Sequence, residues 1–221
     1  MSETDFILLW KEHYEKIDQS LAINKRLLKE LLSEKANSAI RTLTRGKSLG
    51  IVAAMVYLLI LGTALSFAIA HYSSAANYFI VSIGAIFLIN IKALYDYIRH
   101  LILINGIRYD DSVKTIQNRL GRLQWSLVRH CRIMVLQFPF WSTFFLSSAW
   151  FPRHTPPALI VTQIAVTALL TWVAYWLYRN LTLSNLNNFW IKIFISSVGG
   201  KEVVAAMGFY KELEELSVTE D

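Results

Sequence analysis

The sequence predicts an all-α fold: a polytopic membrane protein with four transmembrane helices and a cytoplasmic bundle of amphipathic, coiled-coil-like helices. Of its 221 residues 54% are apolar and only 17% charged, against roughly 25% charged in a soluble domain. The apolar residues gather in long runs. Between the runs, apolar positions recur at alternating three- and four-residue steps. Nine Gly and four Pro exclude a collagenous or low-complexity chain, and one Cys excludes a disulfide scaffold.

Residues 1–48 read as a cytoplasmic amphipathic helix. Ile7, Trp10, Tyr14, Ile17, Leu21, Leu28 and Leu31 form a heptad seam, with Asn24 in its one polar slot. Residues 49–104 are the first transmembrane hairpin. The run 49–70 carries no charge over 22 residues, where about 20 suffice to cross the hydrocarbon. The second span, 75–91, ends at Lys92, whose stem can snorkel while the helix continues into the cytoplasm to residue 104. Because a long polar segment precedes residue 49, the first span reads as a retained anchor rather than a signal peptide.

Residues 105–132 form a second amphipathic helix. Asp110, Asp111 and Ser112 offer cap oxygens, and Val113, Ile116, Leu120, Leu123 and Leu127 make a seam. Residues 133–178 are the second hairpin, with spans at 133–150 and 158–178. Pro139 lies inside the first of these and should kink it; Pro156 and Pro157 open the second and Arg179 closes it. In 179–221, a polar stretch leads to Trp190 and the apolar patch 191–195, either interfacial or a buried turn. A third amphipathic segment follows at 201–216, after Gly199 and Gly200. Its Glu212, Glu214 and Glu215 oppose the helix dipole, so a solvated tail is expected ahead of docking on the basic 108–132 segment.

Orientation follows from the cations. Of 22 Lys and Arg, 21 lie before the first span, between spans two and three, or after span four, and only Arg153 falls in the two short outer connections. Both termini are therefore expected in the cytoplasm. Tyr72, Tyr78, Trp150 and Phe151 at one face, and Trp172, Tyr175, Trp176 and Tyr178 toward the other, suit aromatic belts. The formal charge of +6 is then an orienting excess rather than a nucleic-acid face. Its densest cluster, Arg119, Arg122, Arg129 and Arg132 around Trp125, sits beside span three, where anionic lipid headgroups are the expected partner and nucleic acid is not.

The seam at Trp10, Tyr14, Ile17, Leu21, Asn24, Leu28 and Leu31 has two possible occupants: a protein partner or second copy, or the 112–131 helix of the same chain. The similar length of the two seams favours antiparallel packing within the chain. In the spans the largest polar side chains are Asn90, Gln137 and Gln163, suited to bonds between helices. Gly62, Ser66 and Ala70 form a small-residue stripe. No zinc-protease motif, phosphate loop or paired Cys occurs, and His13, His71, His100, His130 and His154 are scattered. Cys131, flanked by His130 and Arg132, reads as a buried thiol rather than a reactive one. No cofactor, metal or catalytic residue is implied, so the expected function is a non-enzymatic membrane-anchored interaction or regulatory scaffold. An oligomeric channel or uncoupled transporter lined by Asn90, Gln137 and Gln163 is the alternative.

The opening LLWKEHYEKIDQSLAINKRLLKEL at Leu8 to Leu31, joined to four apolar runs and YWLYRNL at Tyr175 to Leu181, resembles a family of uncharacterised four-span membrane proteins of Bacteroidetes. The resemblance implies a bacterial inner membrane, and it leaves room for a regulatory role beside membrane-linked transcription control that no residue supports. It implies no activity and no functional residues.

Overall fold

The computed structural model describes residues 3–107, 113–185, 188–189, 193, 195 and 200–218. Among these the fold is all-α. The five long helices are α1 (Glu3–Ala70), α2 (Asn77–Asn105), α3 (Val113–Met134), α5 (Pro157–Asn180) and α6 (Gly200–Val218), and a single-turn helix, α4, spans Phe138–Trp141. The sequence-predicted features at Arg108, Asp110, Asp111, Ser112, Trp190, Lys192 and Gly199 lie outside the described residues, as do the side chains of Ile7, Val113, Glu214 and Glu215. Of the 191–195 patch, Ile193 is exposed and Ile195 buried.

Helix α1 is continuous through residue 48. α1 runs 68 residues, about 100 Å at 1.5 Å per residue, because all four prolines lie downstream of it and nothing interrupts its hydrogen-bond ladder. Its last third is one of three helical stretches long and apolar enough to cross a membrane, within His13–Ala70, Ser74–Asn105 and Pro157–Asn180. These stretches turn large apolar side chains outward, among them Val56, Leu59 and Ile60 on α1, Val81 and Leu88 on α2, and Leu159, Val161 and Ile164 on α5. A soluble monomer rarely exposes so continuous an apolar surface.

The inner faces hold three cores. Leu61 packs with Ile83, Ile86, Phe87 and Phe140 between α1, α2 and α4. Gly62 allows this approach: a Cβ there would sit 3.4 Å from the Phe87 ring. Ser66 and Ala70 of the same stripe are exposed. Val128, Cys131 and Val135 pack on Leu177, Leu181 and Ile195. The third core is a bundle of four helices, joining Ala36, Ile40 and Leu43 of α1, Ile104 at the end of α2, Ile116, Leu120, Leu123 and Leu127 of α3, and Val203, Ala206 and Tyr210 of α6. From Val203 to Tyr210 this helix is thus docked through one face, and Glu212 beyond it is exposed.

The expected span 133–150 is not a helix. α3 ends at Met134, a 3₁₀ turn covers Val135–Gln137, α4 makes one turn with Pro139 near its start, and turns follow to Trp150. This segment runs antiparallel along α2. Asn90 donates to Gln137 Oε1 at 3.2 Å, the hydroxyls of Ser82 and Thr143 are 2.8 Å apart, and Ser147 Oγ donates to the Ala75 carbonyl at 3.0 Å. Ten residues therefore pass fifteen residues of α2 and the turn that precedes it, about 22 Å. That is about 2.2 Å per residue, nearer the rise of a 3₁₀ helix than of an α-helix. Pro139 has no N–H to donate, and hydroxyls add to carbonyls that already accept from the backbone: Ser142 Oγ donates to Pro139 O at 2.7 Å and Thr143 Oγ1 to Phe140 O at 3.3 Å. Irregular backbone of this kind is tolerated beside apolar helices when protein covers it.

Candidate functional site

Two features of the fold carry chemistry or recognition: the seam on α1 and a buried polar network where α2 meets α3. A cationic recess at the end of α5 is a third.

The seam is uncovered. Intramolecular packing begins only at Leu32, Ala36, Ile40 and Leu43, and no described side chain of residues 10–31 is buried. Trp10 is 67% exposed and Leu21 53%, and Tyr14, Ile17, Asn24, Leu28 and Leu31 are exposed too. The expectation that this seam lies antiparallel on the 112–131 helix is therefore corrected. α6 and the end of α2 occupy the α3 face alongside the later part of α1, so residues 3–31 of α1 project beyond the bundle by about 44 Å. A helix without tertiary cover is marginal in water, and this one carries six large apolar side chains on one face.

The network was not anticipated from the sequence. Lys92, Asp96 and His100 follow one another four residues apart on α2, and Ser126 and His130 do the same on α3. Asp96, 4% exposed, pairs with Lys92 and accepts a 3.0 Å hydrogen bond from His130 Nδ1. His100 Nε2 shares a 3.1 Å bond with Ser126 Oγ, and its ring meets that of His130 edge-on at 5.8 Å. Lys47 of α1, also buried, lies 4.9 Å from the Tyr97 ring centroid. Burial pushes the pKa of His130 down, although the Asp96 carboxylate opposes this, so the imidazole is held neutral. Cys131 beside it is buried and its thiol is pushed up to about 11 by burial, which suppresses the nucleophilic thiolate. The stripe of alternating charge and imidazole along α2 was the available signal; which helix would meet it depends on tertiary packing.

Elsewhere the predicted polar residues hold the fold together. Asn90 also donates to Ile86 O at 2.8 Å, and Gln163 donates to Ser142 O and, at 3.2 Å, to Thr167 Oγ1. His71 and His154, the suggested outer pair, each turn Nδ1 to a nearby backbone carbonyl. Among the described residues no group of three or more His, Cys, Asp or Glu is arranged to hold a metal ion.

The four arginines separate. Arg119 donates to the Gly106 carbonyl and ties α3 to the end of α2, and Arg122 is exposed. Arg129 stacks over Trp125 at 5.5 Å. Arg132 donates from Nε to Tyr178 O at 2.9 Å and lies over the Tyr178 ring at 4.6 Å. Comparison with known proteins places no neighbour beside this arrangement: no protein family, no curated protein and no solved structure matches the chain.

Proposed function

We propose that the protein is a non-enzymatic integral membrane scaffold that self-associates through its projecting N-terminal helix. The observation that carries this reading is the strict heptad seam from Trp10 to Leu31, exposed on a helix that continues without a break into an apolar span. The chain crosses four times, three times as helices and once as the broken segment 135–151. Both termini, α3 and α6 then share one face with nearly all the Lys and Arg, which the positive-inside rule assigns to the cytoplasm.

The favoured occupant of the seam is a second copy. Copies inserted in one bilayer share an orientation, so their arms run parallel, the geometry in which a seam can pair with itself in register. Asn24 then faces Asn24 of the other copy near the middle of the seam, where a polar pair selects register at some cost in stability. Over residues 10–31 the five cations Lys11, Lys16, Lys25, Arg26 and Lys29 are nearly balanced by Glu12, Glu15, Asp18 and Glu30, so like-charge repulsion is small. The test is the mass of the full chain in lipid nanodiscs or mild detergent, by light scattering. The reading requires a dimer that Leu21→Lys with Leu28→Lys converts to monomer; a wild-type monomer, or a dimer indifferent to those changes, would remove it.

A further inference from the structure

The recess at the bundle end of α5 carries an inference independent of the projecting arm. Its volume is about 560 Å³, and its described lining includes Trp125, Arg129, Arg132, Tyr178, Thr182 and Ser184, with no acidic side chain. We propose that Arg129 and Arg132 form a binding site for a phosphate group, presented by the headgroup of an anionic phospholipid.

Several observations converge. Arg129 and Arg132 are three residues apart on α3, hence on one helix face. Each guanidinium is set by an aromatic ring, that of Trp125 or Tyr178, so little side-chain freedom is lost on binding. Arg132 uses Nε on the Tyr178 carbonyl, which leaves its two terminal nitrogens as the fork that matches phosphate oxygens. Across the recess the hydroxyls of Thr182 and Ser184, 3.2 Å apart, add neutral donors. Val128, Ile133 and Leu181 supply apolar wall. Tyr175, Trp176 and Tyr178 mark the end of an apolar helix, the level at which headgroups lie. Arg119 and Arg122 are absent from the described lining.

The test uses the full chain in nanodiscs of phosphatidylcholine with or without one-fifth phosphatidylglycerol, with lipids retained after extraction counted by native mass spectrometry. Wild type should retain phosphatidylglycerol preferentially. At about fivefold per cationic contact, Arg129→Ala with Arg132→Ala should reduce that preference roughly 30-fold, whereas Lys114→Ala with Arg122→Ala should leave it intact. Should the alanine pair fail to fold, Arg129→Lys with Arg132→Lys keeps the stems and charge and should still lose preference through loss of the planar fork. Millimolar inorganic phosphate in phosphatidylcholine-only discs separates the sources. Protection by it that depends on the two arginines assigns the site to free phosphate and overturns the headgroup assignment. No preference in wild type, or equal loss in both alanine pairs, overturns the site itself.

Discussion

Replacing Asp96 by alanine tests the buried network most sharply. The carboxylate is 4% exposed and serves both His130, 2% exposed, and Lys92. Removing it strands a buried N–H donor on His130, which costs about 1–3 kcal/mol, and breaking a buried pair typically costs about 3–5 kcal/mol. Lys92 keeps a third of its side chain in the open and can turn outward, so the low end, about 3 kcal/mol, is expected. For a chain of this size that lowers the melting temperature by about 6–12 °C. Cys131 provides the readout, being the one cysteine in the chain and buried: a thiol-reactive fluorogenic dye labels it only on opening. Asp96→Asn keeps an acceptor and the volume and should cost much less. Asp96→Ala combined with His130→Leu should cost less than the two single changes together, by about 1–3 kcal/mol. A shift below 2 °C for Asp96→Ala, or strict additivity in the double variant, would refute the reasoning.

Further outcomes follow from the same contacts. Leu120→Ala, at a fully buried site shared by α1, α2, α3 and α6, should cost about 2–5 kcal/mol in the same dye assay. Gln137→Leu removes the acceptor facing Asn90 Nδ2, which keeps only the Ile86 carbonyl; a loss of about 1 kcal/mol is expected, measured as a shift in the detergent-unfolding midpoint. Stability, followed by circular dichroism, should fall as the pH drops below about 6.5, because unfolded His130 and His100 take up protons that their buried rings in the folded state take up less readily. A flat profile across that window would show that the imidazoles are not buried as described.

The apolar runs at 49–70 and 158–178 were legible because length and lack of charge are sufficient signals for a helix that can cross. The run at 133–150 is also apolar and uncharged but has a different backbone: Pro139 interrupts the helix, and Ser142, Thr143 and Ser147 bond to backbone and to neighbouring helices through their side chains, which a residue count does not register. The heptad from Trp10 to Leu31 was equally visible, yet its periodicity is the same whether the face is covered from within or from outside. Only the end of intramolecular packing at Leu32 separates the two. Asp96 escaped notice because a charged residue just past a hydrophobic run looks solvated until α3 delivers His130 to it. The choice of Arg129 and Arg132 over Arg119 and Arg122 likewise depends on where Tyr178 and Ser184 fall.

The most direct test of the account is disulfide mapping of α1 in native membranes, with Cys131→Ser as background. Single cysteines are placed on the seam by Ile17→Cys, Leu21→Cys, Asn24→Cys and Leu28→Cys, and off it by Gln19→Cys and Ala22→Cys. The account predicts rapid oxidation to a band of twice the chain's mass at the seam positions and little at the other two. No homodimer at any seam position, equal yields on and off the seam, or seam cross-links exclusively to a different chain would contradict it.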